Sequence, residues 1–244
     1  MMKSVLITGG TGGIGTALVK AFVNKGYHAH VTHTHKGSEF LDNWLAENQL
    51  GEDHVSFLPL NLNNREEVAQ QLAALLESSK IDVLINNAGI TADSTFLKMD
   101  VEQWDSVIDT NLKALFSITQ PIARSMVKHG YGRIINVSSI NGLKGQFGQC
   151  NYAAAKAGII GFSKSLAQEL ATKGVSVNVI APGYTMTPMV ESIREDILDK
   201  IKGNIPTKEL VLLEDLAKTA LMIAESGMSL TGETISVNGG QYMN

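Results

Sequence analysis

Short runs rich in β-branched residues alternate with longer stretches of helical periodicity along the whole chain, and this alternation leaves few folds open. Residues 4–8, 28–34, 55–60, 83–86, 134–138, 175–180 and 234–237 read as strands. The middle ones are almost wholly apolar, as strands covered on both faces must be. Residues 13–25, 39–47, 65–77, 101–128, 152–172, 191–202 and 213–225 read as amphipathic helices. The repeated order of strand then helix predicts an α/β, Rossmann-type doubly wound parallel sheet. About seven strands are expected, in the order 3-2-1-4-5-6-7, with helices on both faces.

Local signals support the helix ends. Asn64, with Glu67 three places on, and Asp100 ahead of the longest helix are expected N-caps. Gly26 and Gly174 each follow a lysine, placing a cation and then a permissive residue where a helix should stop. No repeat, low-complexity tract or linker divides the chain, so residues 1–244 are expected to form one dinucleotide-binding and catalytic domain. Residues 186–214, with two prolines and several charges outside any strand pattern, are expected to form a mobile substrate flap.

Composition excludes several functions. With 44% hydrophobic and 18% charged residues, the chain carries enough apolar material for a substantial core. A net charge of −4, without any run of Lys and Arg, offers no positive field for nucleic acid. Cys150 is the single cysteine and cannot form an internal disulfide, and no apolar stretch approaches the ~20 residues that cross a bilayer. The N-terminal residues enter a glycine loop too soon for a signal peptide. The expected setting is a reducing cytoplasm, without nucleic acid or membrane as partner.

The first predicted strand runs into Thr8-Gly9-Gly10-Thr11-Gly12-Gly13-Ile14-Gly15 and then directly into a helix. Glycine leaves no side chain to block a diphosphate, and the free N–H groups of the helix point at the anion. Strand, glycine turn and helix in that order favour a dinucleotide over a bare structural turn. A carboxylate at the end of the second strand would hold a ribose 2′-hydroxyl, but residues 16–38 contain no Asp or Glu. That strand ends Thr34-His35-Lys36, and Lys36 would attract an additional phosphate, so NADP(H) is expected rather than NAD(H). His28, His30, His33 and His35 divide between the two faces of an extended strand, with no Cys or carboxylate to complete either pair, so no metal site is expected.

Ser139 follows the fifth strand, and Tyr152 and Lys156 stand one helical turn apart. A free phenol has a pKa of about 10, and moving it to about 7 takes about 4 kcal/mol of anion stabilisation. An ammonium at about 4 Å in water supplies only about 1 kcal/mol, so such a shift needs a sheltered site, to which an oxidised nicotinamide would add its positive charge. Tyr152 would then protonate a carbonyl oxygen that Ser139 holds, and Asn111 would anchor a water relaying protons to Lys156.

Together these motifs resemble the short-chain dehydrogenase/reductase family over essentially the whole chain. Gly9, Gly13 and Gly15 fit its cofactor loop, and Asn86-Asn87-Ala88-Gly89 its fourth-strand signature. Asn111, Ser139, Tyr152 and Lys156 fit its catalytic tetrad, and Pro182-Gly183 with Thr187 its nicotinamide loop. The resemblance implies that Thr11, Gly12, Ile14, Thr34, Lys36, Asn87, Ala88 and Gly89 also face the cofactor. Asn61-Leu62 stands where the family commonly has an acidic adenine contact, and Gly12 where many NADP-using members have Arg.

Within the family the chain is similar to bacterial reductases of 3-oxoacyl thioesters, most of all to those that convert acetoacetyl-CoA to (R)-3-hydroxybutyryl-CoA for polyhydroxyalkanoate synthesis. This implies an acyl pocket lined by Gln146, Phe147, Gln149 and Tyr184. It also implies a homotetramer packed through the helices at 101–128 and 152–172, the second of which carries Ile159, Ile160, Phe162 and Leu166. One rival reading is reduction of 3-oxoacyl chains on acyl carrier protein, an acidic partner for which Arg124, Lys128, Arg133, Lys173 and Lys208 would supply a basic rim. Another is a regulator that binds NADP(H) without turnover, a class that tends to lose the tyrosine or lysine kept here.

Overall fold

The computed structural model describes residues 2–34, 37–187, 190 and 194–243. Seven parallel strands form one sheet in the order β3-β2-β1-β4-β5-β6-β7. They are β1 (Ser4–Ile7), β2 (His28–His33), β3 (Val55–Pro59), β4 (Val83–Asn86), β5 (Gly132–Val137), β6 (Val175–Pro182) and β7 (Thr234–Val237). The order reverses between β1 and β4, and a crevice opens at the strand ends there, as such topologies require. The intervening helices are α1 (Gly13–Asn24), α2 (Ser38–Asn48), α3 (Arg65–Ser78), α4 (Val101–Ile108), α5 (Ala114–His129), α6 (Ile140–Lys144), α7 (Cys150–Leu170), α8 (Glu195–Gly203) and α9 (Leu213–Glu225).

The wholly apolar strands reflect two cores. Val5 and Ile7 pack with Leu18 and Phe22 of α1 and Ile223 of α9, whereas Leu6 between them packs with Leu72 of α3 and Ile118 and Ile122 of α5. Alternate residues of β4 and β5 divide in the same way, so both faces of a central strand demand hydrophobic side chains.

The caps at 64 and 100 differ in form. Asp100 makes the full reciprocal box with Gln103. Asn64 accepts from the N–H of Glu67, but the Glu67 carboxylate takes the N–H of Asn61 in place of the cap's own. The predicted helix over 101–128 is two helices joined by one π-helical turn, Asp109–Lys113, which carries Asn111. The helix expected from 152 begins at Cys150 and ends at Leu170 in a short 3₁₀ turn, Ala171–Lys173. The helix expected over 191–202 is described as Glu195–Gly203, and residues 191–193 lie outside the described residues. The base of the expected flap is pinned where Met186 N–H donates to Val211 and Val211 N–H to Tyr184.

The strand histidines separate as strand geometry requires. His28 and His30 share a face with ring centroids 4.8 Å apart, and His33 meets Phe57 on the other. His35 is outside the described residues, among which no group of three or more His, Cys, Asp or Glu is placed to hold a metal. His30 is 5% exposed, and burial first, then the neighbouring His28, lowers its pKa from 6.5 to about 4. The unfolded chain therefore takes up this proton below about 6.5 while the fold refuses it, so stability is complete above that value and is lost as pH falls towards about 4. We expect His30→Leu to remove about 1.4 kcal/mol of the loss between about pH 7.5 and pH 5.5, read as urea midpoints at both values. Equal pH dependence in the variant and the parent chain would refute the assignment.

Candidate active site

A crevice of about 970 Å³ lies along the carboxyl ends of the central strands. Its first wall is the glycine turn, whose Gly9, Thr11, Gly12, Gly13, Ile14 and Gly15 all line it. Gly9 adopts φ +63°, and a Cβ on Gly15 would lie 2.2 Å from the Gly9 carbonyl oxygen and 2.7 Å from the Gly10 Cα. Gly9 N–H donates to Thr32 Oγ1 of β2 at 3.0 Å, fixing the turn to the sheet. The first turn of α1 contains no acidic side chain to oppose an anion. A backbone cradle that any side chain would fill, at a helix N-terminus, fits the diphosphate of a dinucleotide.

Thr34, Asn61 and Leu62 line the same crevice beyond this turn. Lys36 lies outside the described residues. On the opposite wall Asn87, Ala88 and Gly89 are locked to β1: Thr8 Oγ1 accepts both the Asn87 and Ala88 N–H groups, and Asn87 Nδ2 donates to the Thr8 and Gly9 carbonyls. Pro182, Gly183 and Thr187 complete the far side.

Ser139, Tyr152 and Lys156 converge on this crevice. Ser139 caps α6 by accepting the Asn141 N–H at 3.1 Å, and its hydroxyl is hydrogen-bonded to Tyr152. The Lys156 ammonium lies 5.6 Å from the centre of the Tyr152 ring and donates to the Val137 carbonyl at 2.8 Å. Two contacts fix the backbone beneath it. Ser138 Oγ donates to the Lys156 carbonyl at 2.7 Å, and a Cβ on Gly142 would come within 2.7 Å of the same carbonyl carbon.

Asn111 does not line the crevice itself, and its side chain is spent on the loop after β4. Its Oδ1 accepts the Ile90 N–H at 2.8 Å and its Nδ2 donates to the Ile90 carbonyl at 2.9 Å, so both ends of the carboxamide hold the loop after β4. It faces a small cavity behind the crevice wall. Gly89 brings it to the lysine: a Cβ there would be 3.2 Å from Asn111 Oδ1 and 3.4 Å from Lys156 Nζ. A π-turn is the local distortion that lets one helical residue reach back to a neighbouring loop.

Without a cofactor the surroundings of the phenol favour its neutral form. Burial raises the Tyr152 pKa above 10.0, the Ser139 hydrogen bond opposes that rise, and the negative charge of Asp93 adds to it. Burial lowers the Lys156 ammonium to about 8. Lys156 donates to the Val137 carbonyl, and the positive charge that an oxidised nicotinamide would bring is the remaining source of the expected depression. The arrangement keeps Tyr152 protonated, which suits a proton donor.

Of the residues expected to form the acyl pocket, Gln149 and Tyr184 line the crevice, and Gln146 and Phe147 do not. Gly145 and Gly148, both at positive φ, turn that loop outward, leaving Phe147 86% exposed and Gln146 accepting from Lys144 Nζ at 2.9 Å. None of the residues named for a basic rim lines the crevice of the single chain. Arg133 is buried at the start of β5, bonded to the Ser226 and Gly132 carbonyls, and Lys128 and Lys173 stand where helices lead into the starts of β5 and β6, at the end of the sheet opposite the crevice. Arg124 is one turn back from Lys128 on α5, and Lys208 donates to the Gly203 carbonyl.

Sequence reasoning missed Asp93, Asn141 and Asn151, which hold the loops around the site. It also missed a buried chain in which Asn86 Nδ2 donates to Thr119 and Asn136, and Asn136 Nδ2 to Ser163, tying β4 and β5 to α5 and α7. The available signal was an asparagine within each of two largely apolar strands, since a buried amide must be paired.

Fold, glycine cradle and convergent Ser, Tyr and Lys define a dinucleotide-dependent enzyme. Residues 3–198 match the family model described as short chain dehydrogenase, and the chain belongs to that family, an oxidoreductase acting on a CH–OH/C=O group with a nicotinamide cofactor. It is 47% identical over 243 residues to the acetoacetyl-CoA reductase of Acinetobacter sp. (strain RA3849), covering 99% of this chain and 98% of that protein. Identity is 46% over 241 residues to the protein of the same name from Cupriavidus necator, covering 97% of each. It is 38% over 244 residues to the 3-oxoacyl-acyl-carrier-protein reductase of Escherichia coli (strain K12), covering 99% of this chain and 98% of that one.

Proposed function

We propose that this protein reduces the ketone of a 3-oxoacyl thioester to the (R)-3-hydroxyacyl thioester with NADPH, and that its substrate is acetoacetyl-CoA. The observation that carries the reading is the meeting of Ser139, Tyr152 and Lys156 on the crevice that the glycine cradle opens. When bound, the reduced nicotinamide supplies the hydride. Ser139 Oγ holds the ketone oxygen, and Tyr152, kept protonated by burial, delivers its phenolic proton to that oxygen. Lys156 stabilises the phenolate left behind, and Asn111 fixes Ile90 and Gly89 beside the lysine head.

The absence of Asp and Glu from residues 16–38 favours the phosphorylated cofactor, with Lys36 as its partner. The coenzyme A substrate is favoured over a carrier protein by the names of the relatives at 46–47% identity, and by the position of Arg133, Lys128 and Lys173 away from the crevice. We also propose a cytoplasmic homotetramer packed through α4, α5 and α7. Val101 and Phe116 are exposed on α4 and α5, while Ile160, Phe162 and Leu166 of α7 are half-buried in the single chain.

The test is turnover of acetoacetyl-CoA and of acetoacetyl-acyl-carrier-protein, each with NADPH and with NADH. We expect the highest kcat/KM for acetoacetyl-CoA with NADPH. Preference for NADH would remove the role of Lys36, preference for the carrier protein would move the substrate, and failure to reduce either thioester would overturn the reading.

A further inference from the structure

Tyr152 is the third residue of α7, and the N–H groups of a first helical turn have no partner within their own helix. The side chain next to it takes that N–H: Tyr152 N–H donates to Asn151 Oδ1 at 2.7 Å. Asn151 is wholly buried, and the other end of its carboxamide leaves the helix. Its Nδ2 donates to the Ala92 carbonyl in the loop after β4 and to the Gln103 carbonyl of α4, both at 2.9 Å. One buried amide, with its donors and its acceptor all engaged, therefore joins three segments far apart in sequence. The loop it reaches already seats the rest of the site. Ala88 N–H is held by Thr8 Oγ1, Gly89 lies beside the Lys156 ammonium, and Ile90 is clamped at both backbone groups by Asn111. Asn151 fastens the same loop two residues further on, from the side of the tyrosine.

We infer that Asn151 is a further positioning residue of the catalytic site: it fixes the start of α7 to the loop after β4, and so registers the Tyr152 phenol against the Lys156 head and the cofactor wall. The inference rests on the reading of Tyr152 as the proton donor. Asn151 does not line the crevice, so it acts through Tyr152 and touches no reacting atom. Without its two outward bonds the first turn of α7 can tilt away from Ala92 and Gln103, and the phenol moves with the backbone that carries it. Proton transfer needs that oxygen within hydrogen-bond reach of the ketone, and a displacement of about 1 Å is enough to cost about a hundredfold in rate.

The experiment is a double-mutant cycle in the full-length protein, reading kcat for acetoacetyl-CoA with NADPH. Asn151→Ser keeps a hydroxyl oxygen beside the Tyr152 N–H and loses the carboxamide that reaches Ala92 and Gln103. It should lower kcat by about tenfold to a hundredfold and leave NADPH affinity, measured by titration without substrate, at the parent value. In a Tyr152→Phe chain the same substitution should change the residual turnover by less than about twofold, because no phenol remains to be misplaced. Asn151→Thr repeats the cycle with a larger side chain should the serine variant fold poorly. A parent-like kcat in the Asn151 variants, whatever happens to their thermal midpoint, overturns the inference, and so does an equal fractional loss in the two backgrounds. Parent-like turnover by Tyr152→Phe alone, or failure of the parent chain to reduce acetoacetyl-CoA, instead overturns the reading on which the inference rests.

Discussion

Phenylalanine at position 152 should lower kcat for thioester reduction by ~10²–10⁴ while leaving NADPH affinity unchanged. The substitution removes one oxygen and keeps the ring, so the packing against Lys156, whose ammonium sits 5.6 Å from the ring centre, survives. What disappears is the protonated phenol bonded to Ser139. Ser139 still accepts from Asn141, so the cap of α6 stays formed and the thermal midpoint should move little. The parent enzyme's pH profile gives a second readout. Burial places the Lys156 ammonium at about 8 in the free enzyme, so its charge is present below that pH and lost above it. The kcat/KM for reduction should therefore hold on the acid side and fall as pH rises through about 8. Retention of wild-type turnover by Tyr152→Phe would exclude the phenol as proton donor, whatever the fate of cofactor binding.

Strand β4 and helix α9 were legible to the residue because each is bounded by a sharp change of residue type. The glycine turn was legible because strand, glycines and helix follow one another without interruption. The π-turn at Asn111 was not, since helical periodicity runs unbroken across it and one extra residue per turn leaves no mark on the pattern. Helix α6 has five residues, too few to show a period. Placing Gln146 and Phe147 depended on the sign of φ at Gly145 and Gly148, which glycine itself does not specify. Arg133 could have been set aside from the rim at once: in a parallel sheet whose crevice lies at the carboxyl ends, an arginine at the start of a strand is at the far end. The upward pull on the tyrosine was hidden for a different reason, since the sequence does not show how deeply burial desolvates the phenol.

Gly15→Ala should weaken NADPH binding by ~100-fold, a loss measurable by titration calorimetry without any substrate. The three atoms that the new methyl group meets, at 2.2, 2.7 and 2.9 Å, all belong to the backbone of Gly9 and Gly10, so no side-chain rotation can relieve the contact. Either α1 retreats from β1 or the turn opens by at least about 1 Å, and each movement carries the N–H groups of the cradle away from the diphosphate. The turn is also tied to β2 through Thr32, so the disturbance should lower thermal stability as well as affinity. Gly12 offers the comparison within the same loop. Its φ of −82° is ordinary for any residue and its Cβ would meet nothing nearer than the Gly9 carbonyl oxygen at 3.5 Å, so Gly12→Ala should fold with wild-type stability. If Gly15→Ala bound NADPH as tightly as the parent chain, the cradle would not be where the diphosphate sits, and the assignment of every residue around it to the cofactor would fail with it.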